Sequence, residues 1–331
     1  MQEKFEQYSG MELSTQLVIQ EALRRGIEVE VLDYEDNFIR LRQGDKVEYI
    51  KQATKTSRDT YITPLIMENK QVTKQVLREH GLAVPGGVLI KSLDEAMDYW
   101  EKFSGIDIVI KPKSTNYGEG ITIMKGDRKR EDYHDAVRHA LGYGDSVLIE
   151  NFVEGKEYRF LVIDGRVVAI LHRIPANVVG DGVRSIAELV AEKNNNPLRG
   201  TGHVTPFEKI QFGHIELSCL QMQGLTPDSI PADGQTVYIR ENSNVSTGGD
   251  SIDFTEDVRE EYKAIAVKAV EAVGAKISGL DMIIRDIQEV PAEGNHSIIE
   301  LNFNPAIYLH HYPYQGKGRN VEEHILDLLG F

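Results

Sequence analysis

Two oxygen-bearing side chains follow an apolar pair near the end of the sequence. In SIIELNFNPA, residues 297 to 306, the apolar pair leads into Glu300 and Asn302. If this run is a strand, side chains two residues apart point to the same face of its sheet. Carboxylate and amide oxygens held on a rigid strand suit Mg2+. The spacing therefore predicts half of a metal site, which needs a partner from elsewhere in the chain.

A second acidic residue lies inside another apolar run, LDMII at residues 280 to 284. If the two runs pair as strands, Asp281 can meet Glu300 and Asn302. Such a set could hold Mg2+ and leave coordination positions for phosphate oxygens. The alternative is that both acids lie at solvated strand edges and that Asn302 caps a turn.

The segment KPKSTNYGEGI, residues 111 to 121, has the composition of a phosphate-binding loop. Lys111 ends an apolar strand, and Gly118 and Gly120 can bring backbone N–H groups close to phosphate oxygens. The sequence contains no Walker A pattern, so this is not a P-loop. A plain hairpin loop is the alternative.

The segment LIENFVEGKEYRFLVI, residues 148 to 163, offers features that an adenine nucleotide needs. Residues 150 to 153 could form an apolar slot with backbone donors and acceptors, and Glu157 could accept hydrogen bonds from ribose hydroxyls. The alternative is that the carboxylates of this segment lie on the surface beside Lys156 and Arg159.

Two arginines precede or lie within polar stretches. Arg240 opens RENSNVSTGGDSIDFT, in which Ser246 and Thr247 offer hydroxyls, and Arg173 lies in HRIPANVVGDG. Guanidinium groups, hydroxyls and adaptable backbone amides suit a transferring phosphoryl group or a substrate carboxylate. Structural ion pairs are the alternative for both arginines. The adjacent His310 and His311, taken as strand residues, would point to opposite faces, and they lack an H-E-x-x-H pattern, so metal binding there is not favoured.

The elements that position these residues follow from periodicity. Residues 11 to 25 show a helical apolar stripe, and three short alternating runs follow it. Strands and helices alternate from residue 88 to residue 152. Asp164-Gly165 predicts a hairpin between two β-rich runs. Residues 254 to 273 predict a helix with Thr255 as its N-cap.

Composition excludes several classes of protein. The 331 residues carry a formal charge of −15, which opposes broad binding to nucleic acid or to an anionic membrane. Cys219 is the only cysteine, so neither an internal disulfide nor a cysteine-rich metal site is available. There is no apolar signal core after Met1 and no apolar run of about 20 residues. We therefore expect a cytoplasmic protein.

Taken together, the motifs resemble those of the ATP-grasp ligases. The resemblance is closest to the glutathione synthetase half of the bacterial bifunctional glutamate-cysteine ligase/glutathione synthetases, and it runs from about residue 11 to residue 331. It is carried by these segments: KQATKTS, PLIMENK, NKQVTKQVL, VIKPKSTNYGEGI, LIENFVEGKEYRFLVI, LHRIPANVVGDG, RENSNVSTGGDSIDFT, GLDMII and IIELNFNPA. The last two segments contain the acidic residues described above.

The resemblance implies roles for individual residues. Lys74 and Lys111 would contact the phosphates of ATP, and two Mg2+ ions, or Mn2+ as a substitute, would be held by Asp281, Glu300 and Asn302. Arg240 and Arg173, with Ser246 and Thr247, would act on the γ-phosphate and the acyl phosphate. The remaining nucleotide-binding residues would be Lys113, Ser114, Gly118 and Gly120 in the closing loop, Glu150, Asn151, Phe152 and Val153 at the adenine, and Glu157 at the ribose.

The resemblance also implies a fold and a reaction. The fold would be a mixed α/β ATP-grasp fold, with a short N-terminal α/β unit (1–66), a lid subdomain (67–152) and a C-terminal antiparallel-sheet subdomain (153–331), ATP lying between the last two. The reaction would join γ-glutamylcysteine and glycine at the expense of ATP through an acyl phosphate. A homodimer is left open.

Other readings stay open on the sequence alone. ANVVGDG and VSTGGDSIDFT also resemble the ATP-grasp domain of cyanophycin synthetase, so a peptide ligase with other substrates is an alternative. A non-catalytic ATP-binding relative is a second. The glutamate-cysteine ligase half of the bifunctional enzymes has no counterpart in this sequence, so we expect either an excised domain or a stand-alone ligase.

Overall fold

The computed structural model describes residues 7–113, 120–202 and 205–331. Its helices are α1 (Leu13–Arg24), α2 (Ile62–Glu68), α3 (Lys70–Glu79), α4 (Leu93–Asp98), α5 (Trp100–Phe103), α6 (Arg130–Leu141), α7 (Ile186–Lys193), α8 (His214–Met222), α9 (Glu260–Ala272), α10 (Tyr308–His311) and α11 (Glu322–Leu329). Its strands are β1 (Glu28–Asp33), β2 (Phe38–Gln43), β3 (Lys46–Lys51), β4 (Gly87–Ile90), β5 (Ile108–Pro112), β6 (Thr122–Met124), β7 (Val147–Asn151), β8 (Lys156–Ile163), β9 (Arg166–Ile174), β10 (Asn177–Val179), β11 (Arg199–Gly200), β12 (Phe207–Glu208), β13 (Thr236–Tyr238), β14 (Asp250–Asp253), β15 (Ile277–Ile284) and β16 (His296–Asn302).

Residues 7 to 60 form a small α/β unit, as the sequence predicts. The apolar stripe of α1 buries Val18, Ile19 and Ala22, and the three alternating runs form the antiparallel sheet β1-β2-β3. These side chains share one apolar core with β8, β9, β15 and α11. The N-terminal unit is therefore packed directly against the large sheet described below.

Residues 87 to 151 form a four-stranded sheet in the order β4-β7-β5-β6, covered by α6. Its apolar side chains make a core of their own around Phe103 and Tyr133. The Tyr133 hydroxyl donates to the backbone oxygen of Ala96 at 2.9 Å, which satisfies the polar end of a fully buried ring. The predicted alternation of strands and helices in this region is confirmed.

The largest sheet is antiparallel and has the order β14-β9-β8-β15-β16. Its β8–β9 hairpin turns at Asp164 and Gly165, whose φ angles of 48° and 69° both lie in the left-handed region. Two successive residues with positive φ are what a type I′ turn requires, as the Asp-Gly pair predicts. Helix α9 packs on one face of this sheet, and the N-terminal unit packs on part of the other.

Two local predictions are wrong. The helix expected from residue 254 begins only at Glu260, because the Thr255 hydroxyl donates to Asp253 Oδ1 at 2.5 Å and accepts from the Ile170 N–H at 2.9 Å instead of capping a helix. The adjacent histidines were treated as strand residues, but His310 and His311 lie in the short helix α10.

Residues 177 to 239 form a smaller unit in which sequence periodicity is weak. Strands β10 and β13 pair antiparallel, and α7 and other segments pack around them in a separate apolar cluster. Helix α7 begins with a capping box formed by Ser185 and Glu188. Within the described ranges, no helix has the length and apolarity needed to cross a membrane.

Candidate active site

The acidic residues that opened the sequence analysis lie on one face of the large sheet. Strands β15 and β16 pair antiparallel with Asp281 directly opposite Glu300 and Gly279 directly opposite Asn302. Residues that are directly opposite in a sheet share a face, as do residues two apart in one strand. Between Asp281 and Met282 the register shifts by one residue. Asp281 pairs with Glu300, but Met282 pairs with Ile298 and not with Ile299. The predicted meeting of Asp281, Glu300 and Asn302 is therefore present, and we call this surface the acidic face.

Two arginines bind Asp281 on this face. Arg159 lies opposite it on β8 and holds both carboxylate oxygens, with an Nη2 to Oδ2 distance of 2.7 Å. Arg173 on β9 reaches Oδ2 at 3.2 Å. Burial would raise the pKa of Asp281, but Arg159 and Arg173 outweigh it and hold the pKa below its ordinary value. Asp281 is thus a carboxylate in this structure.

The chemistry of the remaining donors fits a divalent cation. The Glu300 side chain is one-third exposed, and its Oε2 lies 3.8 Å from Lys70 Nζ. The Asn302 amide is close enough to Asp281 to contribute to the lowering of its pKa, and its oxygen is the atom that could serve as a metal ligand. Among the described residues, no group of three His, Cys, Asp or Glu side chains is already arranged around a metal position. A cation here would therefore use Asn302 as well and would compete with Arg159 and Arg173 for Asp281.

A second charged group lies in the four-stranded sheet. Lys74 of α3 and Lys111 of β5 both bind Glu150 of β7, the second at 2.8 Å from Lys111 Nζ to Glu150 Oε2. All three side chains are buried or nearly so. Burial and, after it, the charge of Lys111 lower the pKa of Lys74 to about 8. The pKa of Glu150 is lowered, because the two lysines outweigh the opposing effect of burial. The group carries one net positive charge when Lys74 is protonated.

The segment predicted to hold adenine, residues 150 to 153, spans the last two residues of β7 and the first two of the connection to β8. The Asn151 N–H donates to the Gly86 oxygen at 2.8 Å, and the Phe152 N–H donates to the Asp107 oxygen at 2.9 Å. These two donors are already used within the protein. Phe152 and Val153 are half-buried. Binding of an adenine ring would therefore depend on the carbonyl groups and the apolar surface of this segment.

The other nucleotide-loop residues are only partly described. Ser114 and Gly118 lie outside the described residues. The Lys113 N–H donates to the Ser146 oxygen at 3.0 Å, which fixes the start of the loop. Gly120 has a φ of 71°, and a Cβ there would lie 2.7 Å from the Pro112 ring. Only glycine fits at the end of this loop.

Glu157 lies on the acidic face, two residues before Arg159 in β8. It accepts from Arg173 and from the Ser243 hydroxyl, the latter at 2.7 Å. In this structure Glu157 therefore ties the sheet to the loop that carries Ser246 and Thr247. Its predicted contact with ribose stays a prediction.

The loop before β14 is ordered by its own contacts. Ser246 and Thr247 lie in one turn of 3₁₀ helix, and the Thr247 hydroxyl lies 2.9 Å from the Asn244 oxygen. Arg240 binds Glu216 at 2.5 Å, which is the ion-pair alternative that the sequence left open. Arg173 and Ser243 of this loop both bind Glu157, whereas Arg240 is paired with Glu216 in the first turn of α8.

Sequence reasoning missed three groups that hold the site together. The first is Arg159, although its spacing of two residues from Glu157 in a strand was a usable signal. The second is Asp250, which accepts from Lys193 at 2.6 Å and from the fully buried Arg199. The third is a contact between the N-terminal unit and the turn after β16, in which the Thr54 hydroxyl donates to Asn304 Oδ1 at 2.7 Å. The last two pairs are too distant in sequence to be read from it.

Comparison with protein families gives two matches. Residues 9–62 match the family described as "ATP-grasp-like domain". Residues 68–176 match "Phosphoribosylglycinamide synthetase, ATP-grasp (A) domain". The two matches cover the N-terminal unit, the four-stranded sheet and the first hairpin of the large sheet.

Individual proteins are similar over nearly the whole chain. The "Glutathione biosynthesis bifunctional protein GshAB" of Clostridium perfringens is 56% identical over 97% of this chain, and its counterpart from Listeria innocua is 51% identical over 96%. In each case the match spans 41% of the relative, so the chain covers about two-fifths of the length of these proteins. A crystal structure of a bifunctional glutathione synthetase from Pasteurella multocida superimposes with a TM-score of 0.78 at 47% identity, covering 97% of this chain and 44% of that one.

Proposed function

Because this chain belongs to the ATP-grasp proteins and corresponds over nearly its whole length to one part of the bifunctional glutathione biosynthesis proteins, we propose that it is a glutathione synthetase. It joins the cysteine carboxylate of γ-glutamylcysteine to the amine of glycine. ATP phosphorylates the carboxylate to an acyl phosphate, the amine displaces phosphate, and ADP and phosphate leave. No covalent intermediate with the enzyme is required.

One observation carries the chemical part of this proposal. The pairing of β15 with β16 brings Asp281, Glu300 and Asn302 to one face of a sheet, beside Arg159 and Arg173. Phosphoryl transfer depends on positioning and on neutralising charge rather than on a protein nucleophile. Oxygen ligands and guanidinium groups on a rigid sheet supply both.

The chain's own residues have distinct tasks in this reaction. Lys74 and Lys111 bind the phosphates of ATP, and the partly apolar segment from Glu150 to Val153 receives the adenine. Asp281, Glu300 and Asn302 would hold Mg2+, which would supply positive charge to neutralise the phosphates. Arg173 lies between Asp281 and Glu157, where it can turn its charge toward the acyl phosphate.

The test is ADP formation with Mg2+ and ATP, with γ-glutamylcysteine and glycine supplied together and each omitted in turn. We expect turnover only when both are present, and a product with the mass of glutathione. Turnover with a different carboxylate and amine pair in a substrate panel would replace glutathione synthesis with another peptide ligation. ATP binding without turnover on any pair would indicate a non-catalytic relative.

Two further properties belong to this proposal. We infer a cytoplasmic location, because ATP is available there and the chain's single cysteine forms no disulfide. A homodimer is a prediction that equilibrium sedimentation of the purified chain checks. A mass of one chain, 37.2 kDa, across the concentrations used in the assay would contradict it.

A further inference from the structure

Three polar atoms beside the acidic face are buried and have no hydrogen-bond partner among the described residues. They are the Nε of Arg173, the hydroxyl oxygen of Ser251 and the Nδ1 of His310. Ser251 is fully buried and His310 is 2% exposed. Buried polar groups are almost always paired in native proteins, because leaving one unpaired costs about 1–3 kcal/mol. Three such atoms in one region indicate a missing polar partner.

The three residues are neighbours in the fold. Arg173 and Ser251 lie directly opposite each other on β9 and β14, so their side chains share a face. Helix α10, which carries His310, packs against β9. The segment after it runs beside β14, where the Gln315 N–H donates to the Ser251 oxygen at 3.2 Å.

The charges around His310 fix its protonation state. Burial first, and then the nearby charges of Arg159 and Arg173, lower its pKa to about 3, against an opposing effect of Asp253. The imidazole is therefore neutral at pH 7. It can donate or accept at Nδ1 according to its tautomer, and it is too weak a base to take a proton from an ammonium group.

The missing partner has a definite chemistry. The Nε–H of Arg173 can only donate, and the Ser251 hydroxyl and the His310 ring are each able to donate. Arg159 and Arg173 are already paired with Asp281 and Glu157, but the free Nε–H of a guanidinium still binds a carboxylate oxygen more strongly than a neutral acceptor. Leu171, Val245 and Leu309 are buried together in an apolar cluster around the same strand and helix. The partner is therefore a small group with carboxylate oxygens, bordered by apolar side chains.

We propose that Arg173, Ser251 and His310 bind the carboxylate of the acceptor amino acid, and that the apolar cluster excludes acceptors with large side chains. This rests on the proposed ligase function and deepens it. The Nη2 of Arg173, which lies on the same edge of the guanidinium as Nε, is 3.2 Å from Asp281 Oδ2. An acceptor held at the Nε of Arg173 is thus adjacent to the metal-binding residues, which places its amine near the acyl phosphate.

The test compares glycine with glycinamide, in which a neutral amide replaces the carboxylate. ADP release is measured with saturating ATP and γ-glutamylcysteine for the wild type, Ser251→Ala and His310→Gln. In the wild type we expect kcat/KM to favour glycine by at least about 100-fold, because a site built to bind a polar group rejects an analogue that lacks it. In Ser251→Ala the KM for glycine should rise about tenfold while the KM for ATP stays unchanged, and the preference over glycinamide should fall.

Stability separates binding from a structural role. Ser251→Ala removes a hydroxyl that has no partner, so its Tm should equal or exceed that of the wild type. His310→Gln replaces a buried ring and can lower the Tm, so Ser251→Ala is the primary variant. The matched control is His324→Gln in α11, which changes another imidazole whose buried Nδ1 has no hydrogen-bond partner among the described residues and which lies outside β9, β14 and α10. It should leave the KM for glycine unchanged.

Leu309→Ala tests the exclusion of side chains. We expect the ratio of the rate with alanine to the rate with glycine to be at least about tenfold higher in this variant than in the wild type. Alanine use that is no better than in the wild type would contradict the assignment of the apolar cluster.

The two possible failures are distinguishable. If the wild type makes glutathione and the ratio of glycine to glycinamide is the same in Ser251→Ala and His310→Gln, the three atoms hold water only and the inference is overturned. If the wild type uses no acceptor amino acid at all, the proposed function fails and the inference fails with it. Failure of the inference is seen only by comparing the variants with the wild type, whereas failure of the proposed function is seen in the wild type alone.

Discussion

Lys74 shows how burial and a neighbouring charge set the state of a single residue. It shares the Glu150 carboxylate with Lys111, so two cations are paired with one anion in a region with little access to water. The excess positive charge is unfavourable without a ligand, and burial followed by Lys111 lowers the Lys74 pKa to about 8. An anionic ligand such as the phosphates of ATP would relieve that strain. The same geometry therefore fits phosphate binding and predicts a dependence on pH.

ATP binding should take up protons near pH 8. Free Lys74 is half protonated at its pKa of about 8, and phosphate favours its charged form, so binding should take up about half a proton at pH 8. As the pH rises through this value the charged form is lost, and ATP affinity should fall. Titration calorimetry in buffers with different ionisation enthalpies measures the uptake. Lys74→Arg, which stays charged, should abolish it, and an unchanged uptake in that variant would contradict the assignment.

Glu300 should matter for catalysis and little for folding. Its side chain is one-third exposed and 3.8 Å from Lys70, and exposed ion pairs contribute about 0–1 kcal/mol. Glu300→Ala should therefore change the free energy of unfolding by less than about 1 kcal/mol. ADP release should fall by about two orders of magnitude or more, because a ligand for the charge-neutralising cation is lost. Wild-type rates in this variant would remove Glu300 from the metal-binding set.

At the scale of elements, the loop from residue 240 to residue 249 is held at both ends. Ser243 donates to Glu157 on the acidic face. At the other end, Gly249 lies so close to the Asn244 and Ile174 oxygens that a Cβ would be 2.8 and 2.9 Å from them. The loop is thereby fixed against β9, beside Arg173. Its polar composition predicted a functional loop, but the fixed position comes from these contacts.

Gly249→Ala should displace this loop. The added Cβ meets backbone oxygens that cannot move without shifting β9, so we expect a loss of about 1–3 kcal/mol in unfolding free energy and a larger relative loss of ligase activity. Urea unfolding and ADP release measure the two effects. Gly144→Ala is the matched control, since nothing lies within 4 Å of a Cβ there. Equal losses of unfolding free energy and of ADP release in Gly249→Ala and Gly144→Ala would contradict a role for the close packing at Gly249.

At the scale of the whole molecule, the apolar cores are distributed unevenly. The N-terminal unit and the large sheet share one core, whereas the sheet β4-β7-β5-β6 has its own. Lys111 and Glu150 lie on this second sheet, whereas Lys74 reaches Glu150 from α3, whose Leu77 packs in the core of the large sheet. The acidic face lies on the large sheet. A nucleotide that contacts both would link two separately packed bodies.

ATP should therefore protect the four-stranded sheet from amide hydrogen exchange. At about 100 times Kd, an opening that releases the nucleotide is disfavoured by about 100-fold. With Mg2+ and ATP we expect slower exchange in β5 and β7, measured by mass spectrometry of peptides. Strands β1 to β3, which have no predicted nucleotide contact, serve as the internal control. If ATP slowed amide exchange equally in β1 to β3 and in β5 and β7, the proposal that ATP links two separately packed bodies would be wrong.

By itself, the sequence determined the local features of this protein. Period-two and period-3.6 patterns located β1 to β3, α1 and the strands of Asp281 and Glu300, and the Asp164-Gly165 pair located a hairpin, because side-chain facing and turn geometry depend on adjacent residues. It failed at Thr255, where a hydrogen bond to Ile170 on another strand competed with helix capping. Its motifs also identified the family.

Only the tertiary structure decided which charged groups meet. Arg159 with Asp281, Arg240 with Glu216, and Arg199 with Asp250 are pairings between elements 24 to 122 residues apart. Local periodicity does not contain this information, because a charged side chain can satisfy its electrostatic and hydrogen-bonding needs with any opposite partner that the fold brings near. The unpaired atoms of Arg173, Ser251 and His310 become visible for the same reason, since a missing partner is defined only once every neighbour is in place.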